Sequence, residues 1–167
     1  MNRGFTLVEA LVAVSVLGIL ASLAFSSPLK YRQRLELESG LRRLRVGLDR
    51  GRMAAERSGE PCGLSLTSQG WALPRSGELS GCKRATTFLA ETGSSTLLLH
   101  SNLPTTVRFT ANGLLLDGGL VVLGHPRLQQ RLCLVIGLPL GITRSGLYGA
   151  DPSLELSSSN CLPDDAF

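Results

Sequence analysis

Few side chains in this sequence stand where chemistry needs them, and one carboxylate is the clearest. Glu9 is the only charge in the 21-residue apolar run Phe5–Phe25, FTLVEALVAVSVLGILASLAF. A carboxylate in such surroundings costs about 2–3 kcal/mol on insertion scales, so it calls for a partner. An amine suits it, because both groups are poor solutes in hydrocarbon and pairing reduces both desolvation costs. Four cysteines, Cys62, Cys82, Cys133 and Cys161, offer redox or ligand chemistry. None sits in a C-x-x-C spacing, which argues against zinc and thioredoxin-like chemistry. His100 and His125 have no carboxylate or cysteine neighbours at ligand spacing. Neither a Gly-x-Ser-x-Gly element nor a phosphate-cradling loop occurs. The expectation is a protein that is not an enzyme and uses no metal or cofactor.

The element that must position Glu9 is the apolar run itself. At about 1.5 Å per residue, a helix of that length spans roughly 30 Å, the hydrocarbon thickness of a bilayer. Arg3, the single charge before the run, favours an N-in orientation with the rest of the chain outside the cytoplasm. Residues 5–27 are therefore expected to be a single-pass inner-membrane helix, and the remainder of the chain a periplasmic head. Ser22-Leu23-Ala24 before Phe25 could pass for a secretory cleavage site, which keeps open an unrelated secreted or anchored periplasmic domain. Against it, the run exceeds the usual 7–15 residues and contains Glu9.

The six residues Gly4-Phe5-Thr6-Leu7-Val8-Glu9, behind Met1-Asn2-Arg3, resemble the type IV pilin and type II secretion pseudopilin superfamily. The resemblance implies a leader of residues 1–4, cleavage by prepilin peptidase between Gly4 and Phe5, and methylation of the Phe5 amine. Glu9 is then the fifth mature residue, where the family keeps its glutamate. It would meet the Phe5 amine of a neighbouring subunit and fix the stagger of a filament. The implied partners are prepilin peptidase, other pilins or pseudopilins, and the inner membrane.

Beyond Pro28, which should kink or loosen a continuous helix, the pattern turns amphipathic. Leu37, Leu41, Leu44 and Leu48 recur at spacings of four, three and four, one helical face. Arg42, Arg43, Arg45, Arg50 and Arg52 fill the rest. Gly47 and Gly51 lie beside the leucines, where a missing side chain lets a sheet approach closely. The helix should end at Ser58-Gly59, with Pro61 just beyond. Residues 28–60 thus form the second half of one long helix, and residues 61–167 the head. The segment Arg50–Pro61 followed by a strand and Gly70-Trp71 resembles the GspH/FimT group of minor pilins. Met53-Ala54-Ala55-Glu56 departs slightly from that group's pattern, and Cys62 stands where it usually has valine.

From Cys62 onward short apolar runs alternate with turn residues, as in antiparallel strands. Expected strands are Cys62–Thr67, Trp71–Leu73, Thr86–Ala90, Thr96–His100, Val107–Thr110, Leu114–Leu116, Leu120–Leu123 and Leu132–Ile136. Asn112-Gly113 reads as a type I′ hairpin turn. The fold class is α+β, a long N-terminal helix packed on an antiparallel sheet, the pilin fold. Four cysteines allow three connectivities. Spacing favours Cys62–Cys82 and Cys133–Cys161, each closing a local loop, while reduced buried thiols remain the alternative.

Charge is unevenly spread. Lys30–Ser58 holds nine Lys/Arg against four Asp/Glu, and Gly59–Phe167 seven against eight. In DNA-binding FimT-like pilins, arginines near the C-terminus grip phosphates. Here Gly141–Gly146 keeps only Arg144, with Arg131 and Arg127 upstream, in what reads as a loop. The expected function is a minor pilin or pseudopilin of a type IV pilus or type II secretion system. DNA uptake through Arg144, Arg131 and Arg127 is the alternative, which the near-neutral head does not favour.

Overall fold

Four leucines organise the head. In the computed structural model, which describes residues 6–24, 28–75, 79–91 and 96–163, they form one stripe of helix α2 (Pro28–Ser58). Leu37, Leu41, Leu44 and Leu48 are each at most 4% exposed. Burying leucine side chains is worth about 1.5–3 kcal/mol apiece, so this stripe anchors the helix more firmly than its three glycines weaken it. α2 begins at Pro28, where a missing N–H costs nothing; the expected kink would involve residues 25–27, which lie outside the described residues. The expected end is met: α2 stops at Ser58, and Gly59 takes a left-handed φ of 65°.

The helix preceding it, α1 (Leu7–Ala24), belongs to a separate compact unit, Met1–Arg32; the head is Gln33–Phe167. The apolar residues of α1 are spread around its whole circumference. No helix among the described residues is long and apolar enough to cross a membrane. Phe5 and Phe25, the ends of the apolar run, lie outside those residues.

The head has two antiparallel sheets where one was expected. The first has the order β3-β2-β1-β5, from β1 (Cys62–Thr67), β2 (Gly70–Ala72), β3 (Thr87–Phe88) and β5 (Val107–Phe109). The second has the order β4-β6-β7-β8-β9, from β4 (Leu98–Ser101), β6 (Gly119–Gly124), β7 (Arg131–Ile136), β8 (Thr143–Tyr148) and β9 (Cys161–Leu162). Both sheets share one core with α2. Leu64, Trp71, Val107 and Phe109 come from the first; Val121, Leu123, Leu132, Leu134 and Ile136 come from the second.

The opposite face of the second sheet is also buried. Leu120, Val122, Cys133, Tyr148 and Cys161 form a second cluster, with Ala150 and Leu156 packed against it. Because side chains alternate along a strand, the unbroken apolar runs of β6 and β7 reflect burial on both faces. The covering strap is the segment 149–160, which includes a 3-10 turn at Ser158–Asn160.

Close approach to α2 depends on glycine. A side chain on Gly47 would collide with Trp71, and one on Gly51 would stand 2.8 Å from Phe109. The Trp71 indole N–H donates to the Leu44 carbonyl at 2.8 Å, and Thr87 Oγ1 donates to the Arg43 carbonyl at 3.2 Å. The buried indole is thereby satisfied by the helix it packs on.

Three local expectations are corrected. Gly141–Gly146 is a loop only up to Ile142, because Thr143–Tyr148 is strand β8, paired with β7 at Val135↔Arg144. Leu114–Leu116 forms no strand, and Leu115 makes a single bridge to Phe109. The Asn112-Gly113 turn is not type I′, which needs two left-handed residues. Only Gly113 is left-handed, φ 72°, with its N–H on the Thr110 carbonyl at 2.9 Å.

Beside that turn, Arg108 grips Asp117 through Nε and Nη2, both at 2.8 Å, and its backbone N–H adds a third bond at 3.0 Å. Hydrogen bonding from Arg108 holds the Asp117 carboxyl below its usual range, against the opposing effect of partial burial. A carboxyl depressed in the folded state stabilises it above its unfolded value, near pH 4, and loses that contribution as pH falls further. The stability gap between the parent and Asp117→Asn should therefore be widest at neutral pH. Urea unfolding across pH 2–7 should show that gap shrinking below about pH 4.

Candidate functional site

Glu9 lies in the first turn of α1 and is exposed in the isolated chain. Its backbone N–H donates to Thr6 Oγ1 at 3.3 Å, and the Ala10 N–H donates to the Thr6 carbonyl at 3.1 Å. Thr6 therefore caps the helix and Glu9 occupies the third helical position, the Thr-x-x-Glu spacing of a capping box. The carboxylate sits at the positive end of the helix dipole, where negative charge is favourable. Sequence reasoning missed Thr6, although the Thr6-x-x-Glu9 spacing carries the signal. Gly4 and Phe5, the expected cleavage and methylation positions, lie outside the described residues.

The head contributes two disulfides, Cys62–Cys82 and Cys133–Cys161, with Cα separations of 5.0 and 5.8 Å. The first ties the turn after Gly81 to β1. The second joins β7 to β9 across β8. In a flat sheet, strands two apart are separated by about 9.5 Å, so at 5.8 Å Cys161 rises onto the sheet face. Gly146, opposite Cys133, makes room, because a side chain there would collide with the Leu162 carbonyl.

The three arginines considered for phosphate binding are not gathered together. Arg144 pairs with Val135, four residues beyond Arg131, which is about 13 Å along the strand. Arg131 Nη1 donates to the Ala150 carbonyl at 3.2 Å, and Arg144 Nη2 to the Ser158 carbonyl at 3.1 Å. Both guanidinium groups hold down the strap. Arg127 is exposed, and its backbone N–H donates to Nδ1 of the buried His125 at 3.1 Å. His100 lies half-buried on β4. Among the described residues no group of acidic, histidine and cysteine side chains could hold a metal ion.

The N-terminal turn is the part of the chain that a comparison with known proteins identifies. Residues 1–25 match the family model for the prokaryotic N-terminal methylation motif. The chain's first 25 residues thus carry the motif that marks type IV pilin-like proteins. In proteins that carry it, that motif implies processing by prepilin peptidase and assembly with other pilins. No curated protein and no solved structure gave a significant match. The α+β architecture, with long helix and antiparallel sheets, agrees with a pilin-like head.

Proposed function

We propose that this pilin-like chain is a minor pilin or pseudopilin of the GspH/FimT type. Prepilin peptidase cuts it between Gly4 and Phe5 and methylates the new amine. Residues 5–27 hold it in the inner membrane, N-in, until it joins a type IV pilus or a type II secretion pseudopilus. The observation that carries this reading is the motif match over residues 1–25, with Glu9 at the first turn of α1. The Phe5 amine of one subunit then neutralises the Glu9 carboxylate of the next. The seating of Gly70-Trp71 on Gly47 supports the GspH/FimT assignment, since it gives that resemblance a packing role. DNA uptake gains no such support, because Arg131 and Arg144 are engaged by strap carbonyls.

Intact mass and N-terminal sequencing of the protein from native membranes test the proposal. A mature chain starting at Phe5 with one added methyl group is expected. A start at Phe25, or an intact Met1, would replace it with an anchored or secreted periplasmic domain. Glu9→Ala is expected to leave cleavage intact and to reduce the chain recovered in sheared filaments severalfold or more. Normal filament recovery would remove Glu9 from assembly.

A further inference from the structure

One surface of the head gathers four cations from two elements. The last turns of α2 and the turn Cys82–Ala85 enclose an open cleft of about 730 Å³. Arg50, Arg57, Lys83 and Arg84 line it together with Met53, Ala54 and Ser58. Arg50, Met53, Ala54 and Arg57 fall at helical spacings of three, one and three, so they share one face. All four cations are exposed, and none forms an ion pair among the described residues. The acidic residues of the same stretch are turned elsewhere. Asp49 borders a crevice with Phe109 and Gly141, and the Glu56 side chain lies against Gly113.

The helix dipole accounts for a cation such as Arg57 in the last turn. It does not account for Lys83 and Arg84, which come from a different element. Their turn is closed by the Ala85 N–H on the Cys82 carbonyl at 3.3 Å and held to β1 by Cys62–Cys82. Arg84 takes a φ of 60°, a conformation uncommon for residues with a side chain. A lining that combines four cations with Met53 and Ala54 fits a ligand that is acidic and apolar together. A phosphate backbone would use the cations and leave Met53 and Ala54 unused.

This chain contains a segment of that composition. Asp164-Asp165-Ala166-Phe167 has the only adjacent pair of acidic residues in the sequence, with an aromatic two positions later. We propose that the cleft receives this acidic segment from a second copy of the chain. Asp164 and Asp165 meet the arginines and lysine, and Phe167 rests on Met53, whose thioether favours aromatic contact. The segment departs from β9, the edge of the five-stranded sheet, whereas the Lys83–Arg84 turn is tied to β1 of the other sheet. Cleft and segment are different surfaces, so the contact is heterologous and propagates from head to head. It needs only the head and stands apart from the proposal for the N-terminus.

Fluorescence anisotropy of a labelled peptide, residues 162–167, titrated with the full-length chain in detergent tests this. Saturable binding that weakens with added salt is expected. Arg57→Glu combined with Arg84→Glu should weaken it about tenfold or more, several charge pairs being reversed together. A peptide with Asp164→Lys and Asp165→Lys should prefer that charge-reversed chain to the parent. Should the reversed chain lose its circular dichroism spectrum, Arg50→Gln with Lys83→Gln serves instead, with a smaller loss expected. No binding at low salt, or binding indifferent to cleft charge, overturns the proposal. So does tight binding of a short oligodeoxynucleotide by a cleft that ignores the peptide.

Discussion

Trp71→Ala is expected to destabilise the head by about 3–5 kcal/mol, the usual range for removing a large buried aromatic. Trp71 is 2% exposed, and its indole closes the gap between α2 and the first sheet. Its loss opens a cavity against Gly47 and removes the hydrogen bond to the Leu44 carbonyl. Gly47→Ala should fail for the opposite reason. The added methyl group occupies space already filled by the indole, and such overpacking costs about 1–3 kcal/mol. The two changes are therefore coupled, and Gly47→Ala should cost less in a Trp71→Ala background than in the parent. Urea unfolding of the four chains measures this coupling. Strictly additive losses would mean that the helix and indole do not compete for this space.

Removing the second disulfide by Cys133→Ala and Cys161→Ala is expected to cost about 3–4 kcal/mol in the chain-entropy picture for a separation of 28 residues. The effect should be visible locally before it is global. The strap over Leu120, Val122 and Tyr148 would then depend on a two-residue strand and on Arg131 and Arg144. Limited proteolysis should cut within residues 149–160 under conditions where α2 remains protected. If the bridge-free chain resists cleavage there as well as the parent, the bridge is not what holds the strap.

The parts of this fold that were legible in the sequence are those written in apolar periodicity. The leucine stripe of α2, the full extent of β1 and the cores of β5, β6 and β7 all follow from it, and local cysteine spacing favoured both bridges. β8 escaped because Thr-Arg-Ser-Gly-Leu-Tyr alternates weakly, with Gly146 at its centre. That glycine weakens the strand signal for the same reason it is needed, namely to let β9 and the disulfide cross above it. β9 has two residues and no pattern to read. The division into two sheets depends on pairing between distant strands, such as β1 with β5, which no local window contains. At the N-terminus, Glu9 was legible as an isolated charge, whereas Thr6 mattered through backbone capping, which hydropathy does not register. The cationic cleft was hidden because Lys83 and Arg84 are 26 residues or more from Arg57 in the chain.

The two bridges also set how far this chain can be drawn out. A load entering along α2 and leaving near the C-terminus would have to pass both cysteine pairs. The residues they enclose, with separations of 20 and 28, cannot extend while the sulfurs stay joined. Roughly 160 Å of contour is thereby withheld from stretching. An oxidised head transmits tension through its covalent short cuts, and a reduced one yields over that extra length.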